Sequence, residues 1–415
     1  MISSDKPMGT NAQSPWGLIF ILFGAGILSA FQVGKVPPVL SDMRADLGIS
    51  LFDAGWLLSV FTFTGLLMGT FTGAVADALG HRRLMLAGLV LQATGSVLGS
   101  FALSYPGLLA TRILEGTGFL AVIISTPTLI FQVVKPGDLK LALSVWACYL
   151  PLGVSLMMVL LPVILAGTDW RGVWQINAVI LSAYTLLLSK KTSSIRFMNP
   201  SRGIRFKKIL EDMVTTLKSP GPLLLSLIFV TYALQWLTVM GFLPTLINEK
   251  YGFSKSEASF LTAGMVFVNI FGNLTAGRLL EMGLARFKLI ALAGMVMGTS
   301  AMVIYLDTPH FIINYSGCLI FSIFGGLIPA CVLGAVPAYA PSKNRVATTN
   351  GLVIQFGQLG QVIGPPVLAF LVSQTGSWSA GSWFLGCVAG LGVGLSFFLS
   401  RIHPHGQRSG DRIKN

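Results

Sequence analysis

The sequence predicts an all-α integral membrane protein, with twelve transmembrane helices arranged as two pseudo-symmetric six-helix bundles. Three observations carry this prediction: the apolar composition, the number of long apolar stretches, and a repeat that relates the two halves. Of the 415 residues, 53% are hydrophobic and 10% are charged. A water-soluble domain is nearer a quarter charged. The composition therefore excludes a soluble enzyme, a disordered chain and a simple nucleic-acid-binding protein.

Twelve stretches are apolar and long enough to cross a bilayer, which takes about 20 residues. Numbered as spans one to twelve in chain order, they cover residues 16–40, 52–76, 84–104, 107–132, 139–166, 172–189, 222–247, 257–280, 288–306, 311–337, 346–373 and 379–400. Residues 1–15 are polar and lack the charged segment and cleavage site of a signal peptide, so we expect span one to be retained.

A basic, partly polar segment divides the spans six and six. The predicted organisation is an N-terminal bundle over 1–190, a cytoplasmic basic linker over 191–221, and a C-terminal bundle with a short basic tail over 222–415. A repeat at a shift of 204 residues supports this division, because residues 47–57 align with 251–261. The same shift pairs Gly73 with Gly277, Asp77 with Glu281, Gly153 with Gly357, and Pro162 with Pro366. Two parallel six-helix halves are the architecture of a rocking transporter.

The distribution of positive charge predicts the orientation in the membrane. The chain has 28 Lys and Arg against 15 Asp and Glu, a net charge of +13. With the N-terminus inside, the outer segments hold only Arg44, Arg171, Lys250 and Lys255. Cytoplasmic loops are the ones enriched in Lys and Arg. We therefore expect both termini in the cytoplasm, and the bilayer to be the plasma membrane, the inner membrane of a bacterium.

The loop between spans two and three carries a recognisable motif. It runs Gly73-Ala-Val-Ala-Asp77-Ala-Leu-Gly80-His81-Arg82-Arg83 and resembles the Gly-x-x-x-Asp-x-x-Gly-x-Arg-Arg/Lys signature of the major facilitator superfamily. The resemblance covers the chain apart from its short termini. A finer resemblance, to the cyanate-transporter-like branch, rests on residues 112–119 in span four and 358–366 in span eleven.

The resemblance implies that this loop latches the cytoplasmic side shut. A carboxylate in a short, glycine-flanked loop can approach a helix N-terminus of the other half and be attracted by its dipole. The predicted gating residues are Gly73, Asp77, Gly80, Arg82 and Arg83, with Glu281 as the weaker second copy. In the alternative interpretation the two arginines only determine topology.

Arg112 is the most distinctive single residue, because it lies inside span four among apolar neighbours. A buried cation is costly unless it is paired, which makes an intramembrane arginine a functional candidate. Its guanidinium suits a carboxylate or another oxyanion. Glu115 follows three residues later and can share its helix face. It is the leading candidate for a proton carrier; the alternative is an Arg112–Glu115 pair that only stabilises span four.

Lys35 lies near the outer end of span one, three residues after Gln32, so that both can face one side of the helix. In one interpretation the lysine snorkels to the outer headgroups. In the other it lines the cavity as a second cation, at the same depth as Arg112. Two inward-facing cations against one carboxylate would favour an anionic substrate.

Further polar and aromatic residues could complete a substrate site or simply bond neighbouring helices. These candidates are Trp146 and Tyr149 in span five, Gln235 and Trp236 in span seven, Asn269 and Asn273 in span eight, and Gln355 and Gln358 in span eleven.

The leading functional hypothesis is a monomeric secondary active transporter for a small organic anion, coupled to protons. Neither a Walker-type loop nor the ligand spacing of a metal site occurs in the sequence, so we expect no cofactor or metal. Proton-driven efflux of amphipathic drugs is an alternative, although span five lacks the Gly-x-x-x-Gly-Pro pattern of the drug/proton antiporters of this superfamily. A non-transporting receptor or scaffold is another. A membrane enzyme is disfavoured because no cluster of catalytic residue types lies in the spans.

Overall fold

The computed structural model describes residues 14–193, 195 and 206–402, nearly all of them helical. The predicted N-terminal segment, the middle of the linker and the basic tail lie largely outside these residues. In the N-terminal half the spans comprise Trp16–Gly34 continued by Leu40–Leu47 (one), Leu51–Ser59 and Phe63–Leu79 (two), His81–Ser100 (three), Tyr105–Val133 (four), Leu139–Ala147 and Tyr149–Leu165 (five), and Trp170–Lys191 (six).

The C-terminal half repeats this plan after a linker helix, Phe206–Leu217. Its spans are Pro220–Tyr251 (seven), Lys255–Glu281 (eight), Arg286–Ile304 (nine), Phe311–Gly325 and Leu327–Leu333 followed by Val336–Tyr339 (ten), Val346–Thr375 (eleven) and Ala380–Ser400 (twelve).

The described helices agree with an all-α membrane fold. Ten helical segments are long and apolar enough to cross a membrane, and the bent pair of span five makes an eleventh. Span three is the remaining one of the twelve: it is 20 residues long but carries Gln92, Ser96 and Ser100 on its buried side. These polar residues lower its hydropathy while they bond inside the bundle.

Spans five and ten are interrupted, which the continuous apolar runs did not predict. Span five bends by 42° around Cys148, and span ten breaks at Gly326. Each break lies three residues before a proline, Pro151 or Pro329. Proline lacks the N–H for a helical hydrogen bond, and its ring clashes with the carbonyl four residues earlier. A helix therefore bends at this point.

The predicted repeat is confirmed in the backbone itself. Gly48 (φ 63°) and Gly252 (φ 71°) end their helices in the left-handed conformation, which glycine adopts without steric cost. Two residues later Ser50 and Ser254 each open a helix with a capping box, closed by Asp53 and Glu257 respectively.

The two ends of the molecule are distinct. Span two runs from Leu51 to Leu79, so residues 41–51 and 77–83 lie at opposite ends, as the predicted topology requires. We call the end with residues 41–51 the outer end and the other the inner end. At the outer end the halves touch through an ion pair between Lys255 and Asp42. There the Ser259 hydroxyl also donates to the Met158 carbonyl at 2.6 Å.

Candidate functional site

A set of polar side chains lies enclosed in the N-terminal half. Gln32 and Lys35 come from span one, Ser96 from span three, and Arg112 and Glu115 from span four. We call these five residues the polar cluster. The side chains of Lys35 and Glu115 are fully buried, and that of Arg112 is 2% exposed.

Glu115 is the centre of the polar cluster. Lys35 Nζ lies 2.6 Å from its Oε1, and Arg112 Nη1 donates to its Oε2. The Ser96 hydroxyl donates to the same Oε1 at 2.7 Å and accepts from Lys35 Nζ at 3.0 Å. Gln32 Nε2 also reaches Ser96 Oγ, at 3.2 Å. Each carboxylate oxygen thus has a cationic partner.

Aromatic rings cover the two cations. Lys35 Nζ lies 4.2 Å from the centroid of the Trp174 ring, and the Arg112 guanidinium carbon 4.5 Å from that of Phe61. Such contacts offset part of the desolvation of a cation. The Nε of Arg112 is buried without a hydrogen-bond partner among the described residues. With two cations and one carboxylate, the cluster carries a formal excess of positive charge.

Two glycines of span three create the space for this arrangement. A Cβ at Gly95 would lie 2.6 Å from Glu115 Cγ, and one at Gly99 would lie 2.7 Å from Trp174 Cδ1. Small residues spaced four apart allow membrane helices to approach closely. The sequence interpretation missed Ser96 and Trp174. The two glycines that flank Ser96 were the available signal.

The structure decides part of what the sequence left open. Arg112 and Glu115 share a helix face and form an ion pair, and Lys35 lies at their depth. Snorkelling of Lys35 to the headgroups is wrong, because its side chain is fully buried. The cavity-lining position predicted for Lys35 and Arg112 is also not observed. Glu115 draws both cations inward, and Phe61 lies over Arg112.

The predicted aromatic residues of span five connect to the cluster through two rings that the sequence interpretation missed. Trp146 and Tyr149 stack at 4.5 Å, and Tyr149 lies 6.5 Å from Phe119. Phe119 lies 5.2 Å from Phe61, the ring over Arg112. A continuous series of rings therefore extends from span five to the cluster.

Of the candidates in spans seven and eight, Asn269 joins two helices, whereas Asn273 and Gln235 bond within their own helix. In span eight, Asn269 Nδ2 donates to the Ser322 carbonyl at 2.8 Å and Asn273 Nδ2 to Asn269 Oδ1 at 3.0 Å. In span seven, Gln235 Nε2 donates to the Thr231 carbonyl of its own helix. Its neighbour Trp236 is buried.

Span eleven meets span two across the interface between the halves. Gln355 Nε2 donates to the Leu66 carbonyl at 2.5 Å, and its Oε1 accepts from Thr70 at 2.7 Å. Gln358 packs at Gly65, where a Cβ would lie 3.0 Å from its Cγ. Both glutamines therefore face the other half of the molecule.

The predicted gating loop at the inner end makes contacts within its own half. Asp77 Oδ1 lies 3.1 Å from His81 Nε2, and the Asp77 side chain is 59% exposed. Arg82 donates to the Ser189 carbonyl at 2.7 Å and to Thr192 Oγ1 at 3.0 Å, at the end of span six. Gly80 takes a positive φ of 89° between spans two and three.

An open cavity of about 540 Å³ lies at the outer end, lined in part by Asp42, Asp46, Arg171 and Lys255. These charges are paired: Arg171 Nη1 lies 2.5 Å from Asp46 Oδ2, and Lys255 pairs with Asp42. The cavity therefore presents ion-paired side chains at the outer end, and none of the residues of the polar cluster lines it.

The chain resembles known proteins in family, in sequence and in structure. A model described as Major Facilitator Superfamily matches residues 22–354 and again 225–414. A 3-(3-hydroxy-phenyl)propionate transporter of Escherichia coli K12 is 26% identical over 365 residues, which cover 84% of this chain and 86% of that protein. The methylenomycin A resistance protein of Bacillus subtilis 168 is 21% identical over 437 residues, an alignment that covers 92% of this chain and 93% of that protein.

Among solved structures, a bacterial homologue of the human lysosomal transporter Spinster shares the fold. It matches with a TM-score of 0.79 at 15% sequence identity, over 94% of this chain and 98% of that one.

Proposed function

Because the chain belongs to the major facilitator superfamily, we propose that it is a secondary active transporter that moves small organic anions together with protons. The polar cluster is the observation that carries this proposal. It holds two cations, one carboxylate and an Arg112 Nε that lacks a hydrogen-bond partner among the described residues, all inside a membrane bundle. We also propose that the chain belongs to the cyanate-transporter-like branch, whose name specifies a small anion.

The charge balance favours an anionic substrate. A buried charge without a counter-charge costs several kcal/mol, even after relaxation. Lys35 and Arg112 share the single carboxylate of Glu115, so the cluster attracts a further anion. A guanidinium with one nitrogen bound to Glu115 and a second left unpaired offers a donor to an incoming carboxylate.

The same balance provides a route to proton coupling. A proton on Glu115 releases Arg112 from its partner, and a substrate carboxylate then takes the vacated place. Loaded with one proton and one monovalent anion, the cluster carries the same net charge as the empty one. Loading by a proton alone leaves two uncompensated cations, which is electrostatically costly. The proton therefore binds favourably only when the anion binds with it.

The relative from Escherichia coli, whose name specifies an aromatic carboxylate, supports this substrate class. The first compounds to test are 3-(3-hydroxyphenyl)propionate, benzoate and lactate. Radiolabelled uptake into proteoliposomes with an imposed pH gradient measures both accumulation and its dependence on protons.

Arg112→Gln should strongly reduce saturable uptake of the responsive anion while the protein remains folded. Arg112→Lys should rescue poorly, because a compact ammonium cannot reproduce the guanidinium geometry. Loss of one charged hydrogen-bond partner corresponds to about 2–3 kcal/mol, a reduction of roughly 30- to 150-fold in uptake. Arg401→Gln, at the inner end of span twelve, is the matched control and should retain uptake. Equal uptake by wild type and Arg112→Gln would refute the role of Arg112.

Export of amphipathic drugs is the second candidate, supported by the full-length similarity to the methylenomycin A resistance protein. Thermal stabilisation of the purified protein by tetraphenylphosphonium or ethidium, undiminished in Arg112→Gln, would favour this candidate over anion transport.

We further propose that the protein is a monomer in the inner membrane of a bacterium, with both termini in the cytoplasm. The excess of Lys and Arg at the inner end supports this orientation. Fusions of alkaline phosphatase and of a fluorescent protein to the C-terminus test it, since each is active on only one side of the membrane.

A further inference from the structure

Span two changes its helical form beside the polar cluster. The α-helix Leu51–Ser59 gives way to a 3₁₀ turn, Val60–Thr62, before the α-helix resumes at Phe63. The Thr62 hydroxyl donates to the Ser59 carbonyl at 2.8 Å, which stabilises the turn. A short 3₁₀ segment within a long helix often marks a hinge.

Phe61, in the middle of this turn, closes the cluster on one side. Its ring lies over the Arg112 guanidinium, and the side chain is 2% exposed. Its carbonyl oxygen packs against Gly116 so closely that a Cβ at that position would overlap it. Gly116 is one turn beyond Arg112 on the same helix, so the contact holds Phe61 in register with the cluster.

The same segment of span two is attached to the other half of the molecule. The Ser59 hydroxyl donates to the Gln361 carbonyl of span eleven at 2.9 Å. One turn earlier, Gly55 packs on span eleven, where a Cβ would lie 2.9 Å from the Pro365 carbonyl oxygen. Residues 55–61 therefore contact the C-terminal half on one side and Arg112 on the other.

We propose that Phe61 is a hinged cover over the polar cluster, which moves on the 3₁₀ turn of span two when the halves separate at their outer end. Separation breaks the contacts of Ser59 and Gly55 with span eleven, and the released turn carries the ring away from Arg112. The substrate and the proton then reach the cluster from the interface between the halves. This role rests on the proposed function, because it assigns the cluster as the binding site.

Thiol labelling tests the cover without any substrate, and so its outcome is independent of the transport assay. Ser96→Cys places a thiol at the centre of the cluster, in the full chain with Cys148, Cys318, Cys331 and Cys387 replaced by alanine. The rate of reaction with N-ethylmaleimide then reports how often the cluster opens. Size-exclusion chromatography and thermal unfolding confirm that each variant is folded. If Phe61→Ala does not fold, Phe61→Leu takes its place in the experiment.

We expect Phe61→Ala to react about tenfold faster than the parent, in line with the loss of a desolvated cation–π contact. Phe63→Ala, on the same span with a ring that is 37% exposed, should react at the parental rate. Phe119→Ala removes an equally large ring 5.2 Å from Phe61 and should have a smaller effect. Equal rates for Phe61→Ala and its parent would overturn the proposal. So would equal acceleration by Phe119→Ala, since any cavity would then admit the reagent.

Discussion

At the scale of single residues, Glu115 determines the electrostatics of the site because it is shared by two buried cations. Removing a partner from a buried ion pair costs about 3–5 kcal/mol, since the remaining charge stays desolvated and unpaired. Here one substitution at Glu115 would leave both Lys35 and Arg112 in that situation. The cluster behaves as a unit, and its members are best tested together.

Glu115→Gln should therefore lower the unfolding temperature of the purified protein, by an amount equivalent to about 3 kcal/mol. Lys35→Gln in the same chain should restore much of that stability, because the doubly substituted cluster holds a single cation. A double-mutant cycle followed by thermal unfolding in detergent measures this coupling. Additive losses in the two substitutions would contradict a shared carboxylate.

The sequence predicted the Arg112–Glu115 pair, because a spacing of three residues on one helix is a local property. It did not predict that Lys35 would join them. That outcome depends on Ser96 and Trp174, which belong to other helices, and on how closely span three packs. Helix packing of this kind is a property of the assembled bundle, and only the glycines of span three hinted at it.

At the scale of helices, close approach is concentrated at a few glycines. Gly272 of span eight packs on the break in span ten, where a Cβ would overlap the Ile323 carbonyl oxygen. Gly277, five residues later on the same helix, has nothing within 4 Å of the position its Cβ would take. The two positions therefore differ in packing while sharing a helix.

Gly272→Ala should destabilise the protein by about 1–3 kcal/mol, because the added methyl forces the two helices apart. Gly277→Ala should be neutral or stabilising by up to about 1 kcal/mol, since alanine is the better helix former. Unfolding temperatures of the two variants, measured side by side, provide the comparison. Equal effects would mean that the contact between spans eight and ten is loose.

The order and extent of the helices were largely predictable, because the length of each apolar stretch and the repeat at a shift of 204 residues can both be read directly from the sequence. The interruptions were not, although Pro151 and Pro329 are visible in the sequence. Membrane helices often accommodate proline with only a local adjustment. Whether a given proline bends its helix depends on the neighbours that satisfy the freed carbonyl.

At the scale of the whole molecule, the structure shows the halves joined at the outer end. The ion pair of Lys255 with Asp42 and the hydrogen bond from Ser259 both cross the interface there. A second ion pair joins Arg44 to Glu249 at 3.5 Å. An alternating-access cycle requires these contacts to break when the outer end opens.

Lys255→Gln should shift the equilibrium towards the state that is open at the outer end. The pair is partly exposed, so the shift should be modest, about 0.5–1 kcal/mol or a few-fold in population, and smaller at high salt. Labelling of a cysteine placed at Ser259, in a chain without its native cysteines, measures the opening. Labelling unaffected by Lys255→Gln at low salt would remove this ion pair from the gate.

Asp77→Asn should have the opposite effect. In the described part of the chain Asp77 lies 3.1 Å from His81 of its own loop, and the outer end is closed. We therefore propose that the latch predicted for Asp77 forms in the opposite state, in which the inner ends would meet and the carboxylate would face a helix N-terminus. Removing the charge should disfavour that state by about 1 kcal/mol, roughly fivefold in population.

The cysteine at Ser259 should then label more slowly in Asp77→Asn than in the parent, whereas Lys255→Gln makes it label faster. Asp307→Asn, at the outer end in the partly exposed pair with Lys250, is a control for loss of a surface carboxylate. This substitution removes a similar charge, but the ion pair that it breaks lies within one half of the molecule. It should therefore leave the labelling rate unchanged. If Lys255→Gln accelerates and Asp77→Asn slows the labelling of the cysteine at position 259, both ends of the molecule take part in a single conformational equilibrium. Unchanged labelling in Asp77→Asn would leave its loop with a role in topology alone.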